Sequence, residues 1–200
     1  NVKVTSEIEI LNANNKNIAH ATLEFLIHVD GSMEVNGIIV PDTTQLSQFA
    51  RVGITFGMPE TYQKVVYNGR GPWESYIDRD RNGMIGLYKT TVPEMFVYYV
   101  NPQSTANRTD VRWISLAGEN GVGMKVSSDK TFQFSVSPYT DDNIEEATHI
   151  NQLRNAGMTI VHLDAYQAGI GTATCGPGVQ PQYRLNAGIK KFTFMLQPMK

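Results

Sequence analysis

Cysteine is nearly missing from this 200-residue chain. Cys175 is the single one, so no internal disulfide can form and stability rests on packing. No run of apolar residues approaches the roughly 18 that a membrane-spanning helix needs. Charge is sparse too, at 18% of residues, and 17 basic against 19 acidic side chains leave a net charge of −2. That balance gives no footing for binding nucleic acid or an anionic membrane. The chain is also shorter than the roughly 250 residues of a (β/α)₈ barrel, so any chemistry needing one lies elsewhere. It opens on Asn1, not Met, and its first residues already alternate like a strand. It therefore reads as a piece of something longer, and the lack of a signal peptide says nothing about compartment.

What the sequence does have is alternation with period two, over enough apolar material (41%) to fill a core. Val2, Val4, Ile8 and Ile10 alternate with polar residues, as do Ala21, Leu23, Phe25, Ile27 and Val29. Asp30-Gly31 then offers a hairpin turn, because Gly accepts positive φ, and Met33 and Val35 continue on the return strand. Val52, Ile54, Phe56 and Met58 make another run, closed by Pro59. Further strands are predicted at 63–67, 84–89, 95–100, 109–116, 121–127, 131–137, 158–165 and 183–196, the last read as one strand or two short ones. One helix is predicted near 141–154. Thr140 or Asp141 caps it, Ile144, Ala147, Ile150 and Leu153 recur at helical spacing, and Gly157 closes it. About a dozen strands and one helix describe an all-β sandwich. The longest irregular segments are loops 68–83 and 169–178.

Most familiar chemistry fails on pattern. Gly121-Val-Gly123 and Gly169-Ile-Gly171 neither complete a dinucleotide fingerprint nor open a helix, so they read as turns. The histidines, His20, His28, His149 and His162, have no zinc-ligand spacing. His20 and His28 share one predicted strand face but stand about 27 Å apart along it. No G-x-S-x-G elbow occurs, and Cys175 has no histidine near it in sequence. Asn107-Arg108-Thr109 matches a glycosylation triplet, a pattern that often arises by chance.

Acids and arginines are interleaved. Arg70, Arg79, Arg81, Arg108 and Arg112 share the window 70–112 with Glu74, Asp78, Asp80, Glu94 and Asp110. An adjacent arginine lowers a carboxylate pKa, which suits a rigid ion pair better than a general acid. Charge-removing changes such as Arg112→Ala or Asp110→Ala are accordingly expected to destabilise the fold. Tyr67, Trp73, Tyr76, Trp113, Tyr139, Tyr166 and Tyr183 fall in or beside loops, next to Asn, Asp and Arg. Flat rings among planar polar groups suit either a sugar site or a packed interdomain surface. Composition does not choose between them.

The ordered motifs choose. Asn68-Gly-Arg-Gly-Pro-Trp-Glu-Ser-Tyr-Ile-Asp-Arg79 resembles the G-R-G-P-x-E-x-Y-x-D-R signature of the C-terminal domain of family 2 β-galactosidases. Tyr99-Val-Asn-Pro-Gln103 and Asn107-Arg-Thr-Asp-Val-Arg-Trp113 continue the resemblance in register. Ser135-Val-Ser-Pro-Tyr139, His162-Leu-Asp164, Gly169-Ile-Gly171, Gly176-Pro177 and Pro181-x-Tyr183 complete it.

The resemblance implies a many-stranded supersandwich, galactose-mutarotase-like, with residues 1–200 one sandwich taken from a larger bacterial enzyme. In that family a separate (β/α)₈ barrel carries the catalytic glutamates and the divalent metal and sodium. No catalytic residue and no cofactor is therefore expected in this chain. The implied partners are the parent's own barrel and other domains, the galactoside substrate, and further copies of the parent. A cytoplasmic and a periplasmic location are both open. The loop after Gly171 brings a tryptophan to the sugar in some members; here Cys175 takes that position, so Thr174, Cys175 and Gly176 are the expected substrate-proximal residues. Arg70, Glu74, Asp78, Arg79, Asn107, Arg108, Asp110 and Arg112 are expected to form a polar framework on one side of the sandwich. Two rivals follow: a self-sufficient sugar-binding module, and an aldose 1-epimerase using His149 or His162 with Asp164.

Overall fold

The computed structural model describes residues 1–172 and 176–200. Among the described residues there are twelve strands, most of them where the alternation predicts them. They are β1 (Val2–Leu11), β2 (Asn17–Ile27), β3 (Met33–Pro41), β4 (Gln48–Phe49), β5 (Arg51–Pro59), β6 (Lys64–Gly71) and β7 (Met84–Thr91), then β8 (Arg108–Ala117), β9 (Gly123–Ser137), β10 (Met158–Gln167), β11 (Leu185–Asn186) and β12 (Lys190–Met199). Ten of them form one antiparallel sheet along the path β1-β2-β3-β12-β9-β8-β6-β7, with β10 joining β9 to β5. Strands β4 and β11 make a separate two-stranded ribbon.

The sheet becomes a sandwich through β9. Its first part, through Ser127, pairs with β12, and its last part, from Gln133, pairs with β10. On its other side β9 stays with β8, but the register jumps from Val111↔Phe132 to Trp113↔Ser127. Residues 128–131 thus face almost no partner, a large bulge that bends the strand and lets its two ends serve two layers. This merges the two strands predicted at 121–127 and 131–137. Between the layers lie Tyr67, Ile114, Phe132, Phe134, Leu163 and Phe194, all essentially inaccessible. Phe194 meets the Phe132 ring edge-on at 5.5 Å, and Tyr67 meets Phe134 at 5.3 Å.

The β2–β3 hairpin turns at Asp30-Gly31, in agreement with its sequence. Gly31 has φ of +83°, and Asp30 Oδ1 accepts from the Ser32 amide at 2.9 Å and its hydroxyl at 2.7 Å. Gly121, at φ +80°, turns the β8–β9 connection, in line with reading its G-x-G as a turn.

Two local expectations need correction. The segment 95–100 is no strand. A short helix, α1 (Val92–Met95), ends there, held by Glu94 Oε2, which accepts from the Thr91 amide at 2.9 Å. The helix near 141–154 is broken into α2 (Asp141–Glu146) and a 3₁₀ turn, Ile150–Gln152. Thr140 does cap it, accepting from the Asn143 amide at 3.2 Å. The break has a polar cause: Gln152 Oε1 accepts from the Thr148 and His149 amides at 2.7 and 3.1 Å, and Asn143 Oδ1 accepts from the Arg154 amide at 2.6 Å. Side chains thereby take the donors that helix carbonyls would otherwise receive. The segment 183–196 holds two strands, β11 and β12, one of the two readings its sequence allows.

Candidate functional site

The G-R-G-P signature lies at the end of β6 and in the loop beyond it, and it folds onto the segment leading into β8. Glu74, 7% exposed, is the hub. Its carboxylate accepts from the Thr105 hydroxyl at 2.9 Å and the Ala106 amide at 3.1 Å, and it also takes the Arg79 guanidinium and the Tyr99 hydroxyl. A charged acceptor with four donors satisfies the rule that a buried charge must be paired and hydrogen-bonded. Tyr76 lies beside it, its phenol held above the ordinary range by burial and then by the Glu74 charge.

Asn107 and Arg108 extend this hub inward. Asn107, 2% exposed, donates through Nδ2 to Ser75 O and Gln133 Oε1, both at 2.8 Å. Arg108, 4% exposed, donates to the Tyr67 hydroxyl at 3.1 Å and to the Ala106 and Asn107 carbonyls at 3.0 and 3.1 Å. Burial raises the Tyr67 phenol, and Arg108 opposes it. The glycosylation triplet is therefore unusable in the folded chain, because Asn107 Nδ2 is sealed inside.

Asp78 does a different job. Its Oδ2 accepts from the Gly171 amide at 2.7 Å and its Oδ1 from the Ile170 amide at 3.1 Å. The signature loop thus grips the base of the glycine-rich loop. Gly169 is required for that approach, since a Cβ there would lie 2.5 Å from Asp78 Oδ2. The far side of the loop is tied by Thr172, whose amide donates to Pro177 O at 3.0 Å, and by the Gly169 amide to Tyr183 O at 2.8 Å. A recess of about 250 Å³ lies between Asp78, Arg79, Thr172, Pro177, Gln180 and Tyr183. Thr174 and Cys175, expected near substrate, lie outside the described residues; Gly176 is exposed.

The remaining members stand apart. Arg70 Nε donates to Asp110 at 2.7 Å on a half-exposed surface, and Arg112 is exposed, its one bond a 3.5 Å contact to Asp110 O. Arg112 therefore does not join the buried framework. The reason is local: bulges in β8 on both sides of Val111 and a φ of +55° at Asp110 turn its side chain outward. The aromatics also divide. Tyr67 and Tyr76 are core, whereas Trp73 is 67% exposed.

Sequence reasoning missed a second buried cluster, because its members lie 113 residues apart. Arg51, the first residue of β5, donates to both Asp164 oxygens at 3.1 and 2.7 Å. Burial holds the Asp164 carboxyl above its ordinary range despite Arg51. On the same face His162 Nε2 lies 3.2 Å from Asp141 Oδ1, and Nδ1 lies 2.8 Å from Thr55 Oγ1. The imidazole, chiefly by its hydrogen bond, lowers the Asp141 carboxyl. Arg51 and Asp164 come together across a β5–β10 bulge, a pairing that only the tertiary register reveals. Asp164 and His162 are 3% exposed and both engaged by neighbours, and His149 sits on the surface, so the epimerase constellation does not assemble around a sugar-sized opening. Among the described residues no group of three His, Cys, Asp or Glu is placed to hold a metal ion, and no helix is long and apolar enough to cross a membrane.

Comparison with known proteins agrees with the motifs. The family described as "Beta galactosidase small chain" matches residues 1–196. A β-galactosidase of Actinobacillus pleuropneumoniae is 30% identical over 98% of this chain and 19% of its own length. One from Kluyveromyces lactis is 33% identical over 85% of this chain and 16% of its length. The chain thus spans less than a fifth of these relatives. Among solved structures, the GalM/aldose epimerase homologue from C. elegans gives a TM-score of 0.43 at 8% identity, over 98% of this chain and 65% of that one. With the family match running almost from end to end, the chain belongs to the β-galactosidase small-chain family.

Proposed function

We propose that this chain is the non-catalytic C-terminal sandwich of a retaining β-galactosidase of glycoside hydrolase family 2, whose full length hydrolyses terminal β-D-galactosides. Its task in the parent is to present loop 169–178 at the mouth of the catalytic barrel and to supply interdomain surface. The observation that carries this reading is the Asp78 clamp on the Ile170 and Gly171 amides, which joins the family signature to the base of that loop. Two consecutive amides held by one carboxylate fix the direction in which a loop leaves its scaffold. Thr174, Cys175 and Gly176 are then the residues that approach substrate. The barrel supplies the acid/base and nucleophile, and the divalent metal and sodium belong there.

The carboxylates within the chain do not suit glycoside cleavage. A retaining enzyme needs two carboxyl groups about 5–5.5 Å apart with the sugar between them. Of the most buried, Glu74 is held by Arg79 and three further donors, and both oxygens of Asp164 are taken by Arg51. The chain assayed alone against a chromogenic β-galactoside is expected to give no turnover. The parent is expected to cleave it with retained anomeric configuration, followed by NMR. Turnover by the chain alone that disappears when one of its own carboxylates is changed would overturn the assignment. In the parent, Asp78→Ala is expected to raise KM severalfold while leaving kcat within about twofold, because the loop binds and does no chemistry.

A further inference from the structure

One face of the sheet is apolar along its whole width but covered over only part of it. Paired residues of neighbouring strands point to the same face, so side-chain exposure can be followed across single rows. One row runs Val4↔Phe25↔Val35↔Phe194, from the edge strand β1 through β2 and β3 to β12. Val4 is 47% exposed, Phe25 is half-buried, and Val35 and Phe194 are inaccessible. A neighbouring row, Val2↔Ile27↔Met33↔Leu196, falls from 60% to 38% to half-buried to 7%. The opposite face of β1 and β2 is polar, with Lys3 and Glu24 paired on it. The second layer therefore lies over β3, β12 and the first half of β2, where Ala19 and Ala21 are buried, and leaves the start of β1 and the end of β2 only partly covered.

The layer stops at β5, which pairs with β10 and, among the described residues, has no strand on its other edge. Between that edge and the uncovered part of the sheet is an apolar cleft of about 660 Å³, lined by Leu23, Phe25, Met33, Phe56, Met58 and Met124. An unpaired edge beside an apolar cleft is an acceptor for an added strand, whose main chain pairs with the edge while alternate side chains fill the cleft. A long exposed edge of this kind is also an aggregation hazard, which proteins cover.

We propose that the cleft holds an extended segment of the parent's own polypeptide from outside residues 1–200, added to the free edge of β5 with apolar side chains at every second position over Leu23, Phe25 and Val4. The occupant is assigned to the same polypeptide because the relatives matched along nearly the whole chain are about five times its length. A tethered strand also meets its site at high effective concentration, so it outcompetes a second copy. This inference rests on reading the chain as part of a longer β-galactosidase. If the parent proves inactive on galactosides, that reading fails, whereas the protection and crosslinking described next are unaffected.

The test is oxidative footprinting of the intact parent by peroxide and mass spectrometry, with a photo-crosslinking residue at Ile54 in a second preparation. Met33, Met58 and Met124 are expected to oxidise at least tenfold more slowly in the native parent than after denaturation. The crosslink is expected to fall on a peptide outside 1–200. Free oxidation of all three methionines in the folded parent would overturn the proposal. So would crosslinks confined to residues 1–200, whose own Leu23 and Phe25 form the opposite wall of the cleft, with none to a peptide outside that range. The footprint needs no variant, so free methionine oxidation overturns the proposal even where the parent carrying the photo-residue folds poorly, while the crosslink identifies what covers the cleft.

Discussion

Glu74 and Arg112 belong to one sequence-level pattern, acids and arginines interleaved over 70–112, yet they occupy opposite physical situations. Glu74 is 7% exposed and satisfies four donors drawn from three segments of chain. Arg112 is exposed and touches one carbonyl. The comparison separates two meanings of a charge-rich motif. A charge stabilises a fold through the groups left unsatisfied when it is removed, and a solvated charge leaves none behind.

The largest effect should follow from Glu74→Ala, which strands the Thr105 hydroxyl and the Ala106 amide in a dry site. A loss of about 3 kcal/mol is expected, measured by urea unfolding. Glu74→Gln should recover part of it, because one oxygen remains to accept. If Glu74→Ala unfolds like the unmodified chain, the hub is not a stability element and its convergence of donors serves another purpose.

Arg51→Met should come close behind, at about 3 kcal/mol, because it leaves the 3%-exposed Asp164 without its cation. This variant also has a pH signature. Burial already holds the Asp164 carboxyl above its unfolded value, so the native state binds that proton more readily than the unfolded chain. Stability from this group therefore declines as pH rises from about 4 through the raised native value. Removing Arg51 raises that value further, and the decline should become larger and extend to higher pH. Asp141 has the reverse sign: its lowered carboxyl contributes above about 4 and loses that contribution as pH falls through the native value. Asp141→Asn should differ less from the unmodified chain in acid than at neutral pH. Equal pH slopes for Arg51→Met and the unmodified chain would contradict the pairing.

How much of this was legible beforehand depends on the range of the interaction. Hairpin turns and alternating strands are local, and Asp30-Gly31 or Val52 through Met58 announce them directly. The helix near 141–154 misleads because Ile144 and Ala147 do pack, while Asn143 and Gln152 turn their side chains onto backbone amides and break the ladder. The 15-residue strand β9 looks like two in sequence because its bulge at 128–131 is polar, like a turn. The Glu74 hub was legible as a motif and its burial was not. The Arg51–Asp164 pair was illegible, since nothing in either local sequence names the other.

Asp78→Ala should cost less global stability, about 1 kcal/mol, but should act sharply in one place. The Ile170 and Gly171 amides lose their acceptor, so their hydrogen exchange should accelerate at least tenfold while the core strands β9 and β10 keep their protection. Uniform acceleration across the sheet would mean that Asp78 supports the fold and does not specifically orient the loop.

The smallest effect should be that of Arg112→Ala, and it reverses the expectation drawn from the motif. The guanidinium lies in water, and its single contact, 3.5 Å to Asp110 O, is at the limit of a hydrogen bond. Truncation therefore exposes no orphaned donor and opens no cavity, and the change should stay within about 0.5 kcal/mol. Asp110→Ala should exceed it, at about 1 kcal/mol, because Arg70 loses a 2.7 Å charge-assisted bond in a partly shielded site. Salt distinguishes the two further: Asp110→Ala should lose part of its effect in about 0.5 M salt, where a partly exposed ion pair is screened, and Arg112→Ala has little to lose. An Arg112→Ala penalty above that of Asp110→Ala, measured on the isolated chain, would place the side chain in a contact this structure does not contain. The same penalty found only in the intact parent would instead locate Arg112 at a domain interface, where an exposed arginine beside Trp113 is well suited to serve.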